Sequence, residues 1–161
     1  RRPLPGVSEF YRLLSANAQY PVFYVSSSDW NLFDLIQDFL KYREIPVGPI
    51  LLKDRHMDLK NIWKSGGGSH KHKVEKISFL MDFYPNLNFV LLGDSGQHDP
   101  EIYAEIISKY KHRVEAVYIR QVGTKDPIRE EELNKLLPSN KIVWIKNSTE
   151  AIEHAKVHLV H

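Results

Sequence analysis

The residues best suited to chemistry lie in FVLLGDSGQHDPEIY, positions 89 to 103. In Gly93-Asp94-Ser95-Gly96 a serine flanked by small residues has the composition of a nucleophile turn for acyl transfer. The carboxylates of Asp94 and Asp99, set on one turn at the end of an apolar run, can instead hold Mg²⁺, which favours hard oxygen ligands. The plainest alternative is a strand-to-helix turn with Asp99 as its N-cap. Upstream, Ser26-Ser27-Ser28-Asp29 closes another apolar run and leads into a helical segment. Its hydroxyls and the free N–H groups of that helix can bind phosphate, or the serines can be spare residues beside a cap. Lys73, at the start of the helix preceding the Asp94 strand, can neutralise a phosphate as a point charge. His70 and His72, two positions apart, fall on different faces of a helix with no third ligand evident, so a zinc site is not supported; His98 reads as a solvated loop histidine.

Acyl and phosphoryl transfer need different scaffolds, and the surrounding elements decide between them. Short apolar runs at 20–26, 49–53, 88–93, 114–120 and 141–146 read as strands, most of them near-continuous hydrophobics as expected for burial on both faces. Between them run amphipathic segments, with apolar stripes at Leu32, Leu35, Ile36, Phe39 and Leu40, at Val74, Ile77, Leu80 and Met81, and at Ile102, Tyr103, Ile106, Ile107 and Tyr110. Asp29, Asp126 before Pro127, and Ser148 or Thr149 are the candidate caps. This alternation predicts an α/β fold with a parallel sheet and helices on both faces. A trypsin-type protein would be nearly all strand, and Gly-x-Ser-Gly is not the Gly-x-Ser-x-Gly elbow of α/β hydrolases, so Ser95 loses both its fold and its motif. Residues 54 to 72, with Gly66-Gly67-Gly68, are expected to form a mobile loop or flap.

At 161 residues and 42% hydrophobic content the chain has enough apolar material for one core. Its 22 Lys and Arg are interspersed with 20 Asp and Glu for a net charge of +2, which makes no case for nucleic acid. Cysteine is absent, which excludes a disulfide scaffold and thiol chemistry. No apolar run approaches the roughly 20 residues of a spanning helix, so a cytoplasmic setting with, at most, peripheral membrane contact is the expectation.

A strand ending in Ser26, a later Lys73, and a strand ending in Gly93-Asp94 with Asp99 five positions on resemble, in that order, motifs two, three and four of the haloacid dehalogenase superfamily. The flanks narrow the resemblance. RPLPGVSEFYRLL, PVFYVSSSDWNLFDLIQDFL, PVGPILLKD, HKVEKISFLMDFYPNLNFVLLGDSGQHDPEIYAEI and RVEAVYIRQV are similar to the catalytic domain of the actin-patch-associated phosphatidate phosphatase family over roughly residues 2 to 122. That resemblance implies a three-layer, mainly parallel Rossmann-like sandwich and a Mg²⁺-dependent phosphatase acting on phosphomonoesters, phosphatidate-like phospholipids in particular. It implies that Ser26, with Ser27 and Ser28 beside it, binds the phosphoryl group. Lys73 would offset its charge, Asp94 would ligate the metal, and Asp99 would place the metal or the lysine. Asp29 departs from the family, which has proline there.

The superfamily's nucleophile is the first aspartate of Asp-x-Asp-x-Thr, and no Asp-x-Asp occurs in the 161 residues. The resemblance puts that motif upstream of RPLPG, on a strand lying between those that end at Ser26 and Gly93. The stretch from Arg1 is therefore expected to lack turnover alone, with two inner sheet edges left unpaired or paired differently. A non-catalytic phosphate or phospholipid binding module on the same fold is the competing expectation. The loop from Lys53 to Lys73, with Trp63 among lysines and histidines, is a candidate contact for an anionic membrane surface.

Overall fold

The computed structural model describes residues 5–17, 19–53 and 68–159. The strands are β1 (Tyr24–Asp29), β2 (Ile50–Lys53), β3 (Phe89–Asp94), β4 (Val114–Arg120) and β5 (Ile142–Ile145). The helices are α1 (Val7–Leu14), α2 (Phe33–Tyr42), α3 (Gly68–Phe83), α4 (Asp99–Tyr110), α5 (Pro127–Asn134) and α6 (Ser148–His158). They assemble into an α/β architecture with two parallel sheets, one of β1 and β2 and one in the order β3-β4-β5.

The three-stranded sheet is covered on both faces, which explains its near-continuous apolar strands. On β4, Val114, Val117 and Ile119 pack with Met81 of α3 and with Ile102 and Ile106 of α4. Ala116 and Tyr118 turn the other way, onto Phe10 of α1 and Ala151, Ile152 and Ala155 of α6. From Ala116 onward period-two alternation thus feeds two cores from one strand, and the register shift opposite Phe89 and Val90 puts Val114 with the first of them. Arg113 fixes the entry to this sheet, donating to the Met81, Tyr84 and Leu87 carbonyls at 2.7, 2.6 and 2.7 Å. The first of these reaches a carbonyl in the last turn of α3, and the other two hold the turn that follows it.

Among the described residues neither β1 nor β3 has a second strand neighbour. A cavity of about 1020 Å³ opens between the sheets, lined by Phe23, Tyr24 and Val25 on one side and by Val90, Leu91 and Leu92 on the other. Helix α3 spans both sides, since Val25 and Phe89 rest on the same core as its Val74 and Ile77.

Several local expectations are displaced. The apolar run at 20–26 becomes a strand only from Tyr24, whose N–H makes a 2.8 Å ladder bond to Pro49 O. Pro21 has no N–H to contribute, and Phe23 faces the cavity and packs on Tyr84. Ser26, Ser27, Ser28 and Asp29 therefore belong to β1 itself; a 3-10 turn at Trp30–Leu32 separates them from α2, and Asp29 makes no side-chain cap. Residues 68 to 72, expected in the loop, begin α3; Lys71 pairs with Glu75 one turn on, and His70 meets Glu105 of α4 at 3.2 Å. The remainder of that loop, with Lys60 and Trp63, lies outside the described residues. Asn147, not Ser148 or Thr149, caps α6 by accepting the Glu150 N–H at 3.0 Å, while Ser148 is buried. Asp126 caps α5 as expected, with Pro127 opening the helix. The α2 stripe divides, Leu40 facing the core while Leu35 and Phe39 are exposed.

Candidate functional site

Ser26, Ser28, Lys73 and Asp99 all line the inter-sheet cavity. Ser27, between the two serines, does not. The serines sit where the β1 ladder breaks register: Val25 pairs with Leu51 but Asp29 with Lys53, so β1 spends more residues than β2 over the same stretch. Such bulges free backbone groups and re-aim side chains. Here the Ser28 N–H donates to Ser26 Oγ at 3.1 Å.

Lys73 projects from the second turn of α3 and donates to Asp99 Oδ1 at 2.7 Å and to Gln97 Oε1 at 3.4 Å. Both partners of the ion pair have side chains only 12% exposed, so little water screens it. Asp99 opens α4, yet its carboxylate does not cap that helix. Its second oxygen, Oδ2, accepts the Asp94 N–H at 3.0 Å. Asp99 thus contacts the Lys73 ammonium and the Asp94 backbone at once.

The Asp94 side chain lies at the carboxyl end of β3. Its Oδ1 accepts the Gly96 N–H at 2.9 Å, and its Oδ2 is 3.5 Å from Arg120 Nη2. Arg120 is the parallel ladder partner of Asp94 on β4, so strand register alone brings the two together. Among the described residues no three His, Asp or Glu side chains converge as a ready metal cluster. Mg²⁺ is commonly held by one or two carboxylates, with water and phosphate oxygens completing its shell, and Asp94 fits such a donor set.

The backbone around Asp94 is packed as tightly as a core. A Cβ on Gly93 would come within 2.7 Å of Asp99 Cβ and 2.9 Å of Tyr103 Cε2, so this position requires glycine for space. Burial, with Asp99 adding to it, pushes the Tyr103 phenol well above its ordinary value, and the protonated hydroxyl donates to Leu92 O at 2.5 Å. Ser95 is held by the backbone at the exit of β4. Its Oγ accepts the Val122 N–H at 2.9 Å and donates to Val122 O at 3.3 Å, and among the described residues no histidine hydrogen-bonds to it.

Arg120, Tyr103, Gln97 and Arg129 are neighbours of the site that the sequence reading did not single out. Register would have identified Arg120, since aligning β3 and β4 as parallel neighbours sets it opposite Asp94. Arg129 carries no sequence signal, because it arrives from a helix that only tertiary packing brings near.

Residues 1–121 match the family model described as phosphatidate phosphatase APP1, catalytic domain. The chain is 31% identical over 117 residues to Phosphatidate phosphatase APP1 of Saccharomyces cerevisiae, a match covering 73% of this chain and 19% of that protein. It is 29% identical over 123 residues to uncharacterized protein C29B5.04c of Schizosaccharomyces pombe, covering 74% and 19% respectively. The matched region is thus about a fifth of the length of these relatives. No solved structure matches. With the family model covering Ser26, Lys73, Asp94 and Asp99, the chain belongs to the phosphatidate phosphatase APP1 catalytic-domain family.

Proposed function

We propose that this chain is the greater part of a Mg²⁺-dependent phosphatase domain of the haloacid dehalogenase type. Its substrates would be phosphomonoesters, phosphatidate-like phospholipids in particular, and its aspartyl-phosphate would form on an aspartate upstream of Arg1. The observation that carries this reading is the chain of contacts from Lys73 through Asp99 to the Asp94 backbone, beside a cavity that Ser26 also lines. Phosphoryl transfer depends mainly on positioning and charge neutralisation, and these groups supply both.

In this reading the Ser26 hydroxyl donates to a phosphoryl oxygen, and Ser28 lines the same wall. Lys73 lies against the developing negative charge, its ammonium held by Asp99 so that it need not reorganise during reaction. Asp94 would be the metal's protein ligand from this chain; bound Mg²⁺ would neutralise phosphoryl oxygens. The aspartate nucleophile displaces the alcohol as the P–O bond breaks, and water then hydrolyses the acyl phosphate. The edges of β1 and β3, which carry no strand neighbour among the described residues, suit a strand carrying that aspartate, and residues 1–161 without it would not turn over. The Lys53 to Lys73 segment would rest on an anionic bilayer, which unchanged sedimentation of a Trp63→Ala, Lys60→Glu double variant with phosphatidate-containing liposomes would rule out.

The deciding experiment is phosphate release with Mg²⁺ from the full-length protein beside its Asp94→Asn variant. Activity abolished by the substitution supports the reading. An inactive parent across phospholipid and soluble phosphomonoesters would favour a phosphate-binding module without turnover.

A further inference from the structure

Arg129 lies beyond the residues matched by the family model, in the first turn of α5, yet it reaches the turn that joins Asp94 to Asp99. Its Nη1 donates to Ser95 O at 2.6 Å and its Nη2 to Gln97 O. The same guanidinium is bidentate on Glu101, through Nε to Oε1 and through Nη2 to Oε2 at 2.6 Å. One side chain thus joins three elements: α5, the turn after β3, and the first turn of α4. Burial alone would raise the Glu101 carboxyl, but hydrogen bonding from Arg129, a backbone hydrogen bond and the charges of Arg129 and His98 together outweigh it and hold the group below its usual range, so the pair stays charged.

The opposite side of the turn is fastened independently. The Ser95 N–H donates to Arg120 O at 2.9 Å, and Ser95 Oγ bonds both backbone groups of Val122. Gln97, whose carbonyl Arg129 holds, presents Oε1 to Lys73. The guanidinium therefore grips the link between the two carboxylates while its neighbour touches the lysine.

We propose that Arg129 is a positioning residue for this site, acting through the Ser95 to His98 turn to set the orientation of Asp94 and Asp99, and that α5 is part of the working unit. The inference rests on the reading of those aspartates as the site's carboxylates. Supporting groups one step removed from a metal or its ligands typically matter by roughly 10- to 100-fold.

The test uses the full-length protein with Arg129→Gln and Arg129→Lys, the latter keeping the charge without a fork able to span Glu101 and both carbonyls. In Arg129→Gln, amide exchange over residues 95 to 99 is expected to quicken about tenfold with β4 unchanged. The Mg²⁺ half-saturation concentration is expected to rise and kcat to fall by roughly tenfold or more, with substrate KM within about twofold and Arg129→Lys intermediate. Unchanged exchange in the turn, or wild-type kcat and Mg²⁺ dependence, overturns the proposal. So does exchange that quickens equally throughout the sheet. Should Arg129→Gln fail to fold, Glu101→Gln must show the same pattern in weaker form, and wild-type behaviour there overturns the proposal too. If Asp94→Asn retains full turnover, the phosphatase reading of the site fails and this inference with it, whereas an Arg129 failure alone leaves that reading standing.

Discussion

Lys73 Nζ stands 2.7 Å from Asp99 Oδ1, and the other oxygen of the same carboxylate accepts the Asp94 N–H at 3.0 Å. Asp99 therefore serves a cation on one helix and a backbone amide on a strand at once. Asp99→Asn leaves the ammonium facing a neutral group in a site with little access to water. Removing one partner of a buried pair costs on the order of 3 kcal/mol, and losing a positioned charge costs turnover about 100-fold or more. Urea denaturation and kinetics measure the two losses separately. A Lys73→Met, Asp99→Leu double variant is expected to regain much of the stability and none of the activity.

Gly93→Ala sets a methyl group against Asp99 and Tyr103. Overpacking of this kind costs roughly 1–3 kcal/mol, and it displaces the Asp94 amide from Asp99. Thermal unfolding is expected to show the stability loss. A Mg²⁺ titration is expected to show weakened binding, and wild-type affinity would mean that the Gly93 contact does not govern Asp94.

Ser95 sits in a sequence that invites a nucleophile reading, but both of its hydroxyl contacts are to Val122. A serine-directed covalent probe is expected to leave the protein unlabelled. Ser95→Ala is expected to cost about 1 kcal/mol for the lost hydrogen bonds while retaining turnover within roughly tenfold. Labelling at Ser95, or complete loss of activity with the fold intact, would restore it to the chemistry.

Away from the site, His154 Nε2–H donates to Asn140 O at 2.9 Å, which leaves Nδ1 to accept from the Tyr118 hydroxyl, also at 2.9 Å. Burial and the neighbouring His158 hold the His154 imidazole below its ordinary value, against the opposing effect of the Asn140 carbonyl. Burial pushes the Tyr118 phenol up to about 12, so it remains a donor. A histidine with a depressed folded-state value favours the fold in its neutral form. Its contribution is complete above the unfolded value of 6.5 and is lost as pH falls through 6.5 toward the folded value. Melting temperatures taken from pH 7.5 to 5.5 are expected to fall, and His154→Gln, which can still donate and accept, is expected to flatten that slope. An unchanged slope would exclude His154 as a source.

Much of this architecture was readable from patterning. The β4 run VEAVYIR stands where the apolar residues placed it, because a strand buried on both faces has no other way to be satisfied. β1 slipped toward its polar end because hydrogen bonding follows partners, and the apolar stretch before Tyr24 faces a cavity. Ser26, Lys73 and Asp99, singled out by type and order, line one cavity, and Asp94 meets Asp99 through its backbone N–H. The pairing of Lys73 with Asp99 was left open, since a carboxylate at a helix start suits a cap equally well. Arg120 needed the strand register, and Arg129 needed the approach of a distant helix, neither of which local periodicity encodes.

Ser26 belongs to one sheet and Asp94 to the other, and among the described residues no ladder bond connects β1 with β3. The separation between the Ser26 hydroxyl and the Asp94 carboxylate, proposed above to bind phosphate and metal, is then a clearance set by whatever occupies the space between two slabs. Neighbouring strands lie about 4.8 Å apart, whereas a misplacement of about 1 Å can cost roughly 100-fold in rate. On the proposed function, the inter-sheet cavity would act as a spacer gauge: seating its occupant and calibrating the catalytic distance would be a single mechanical event.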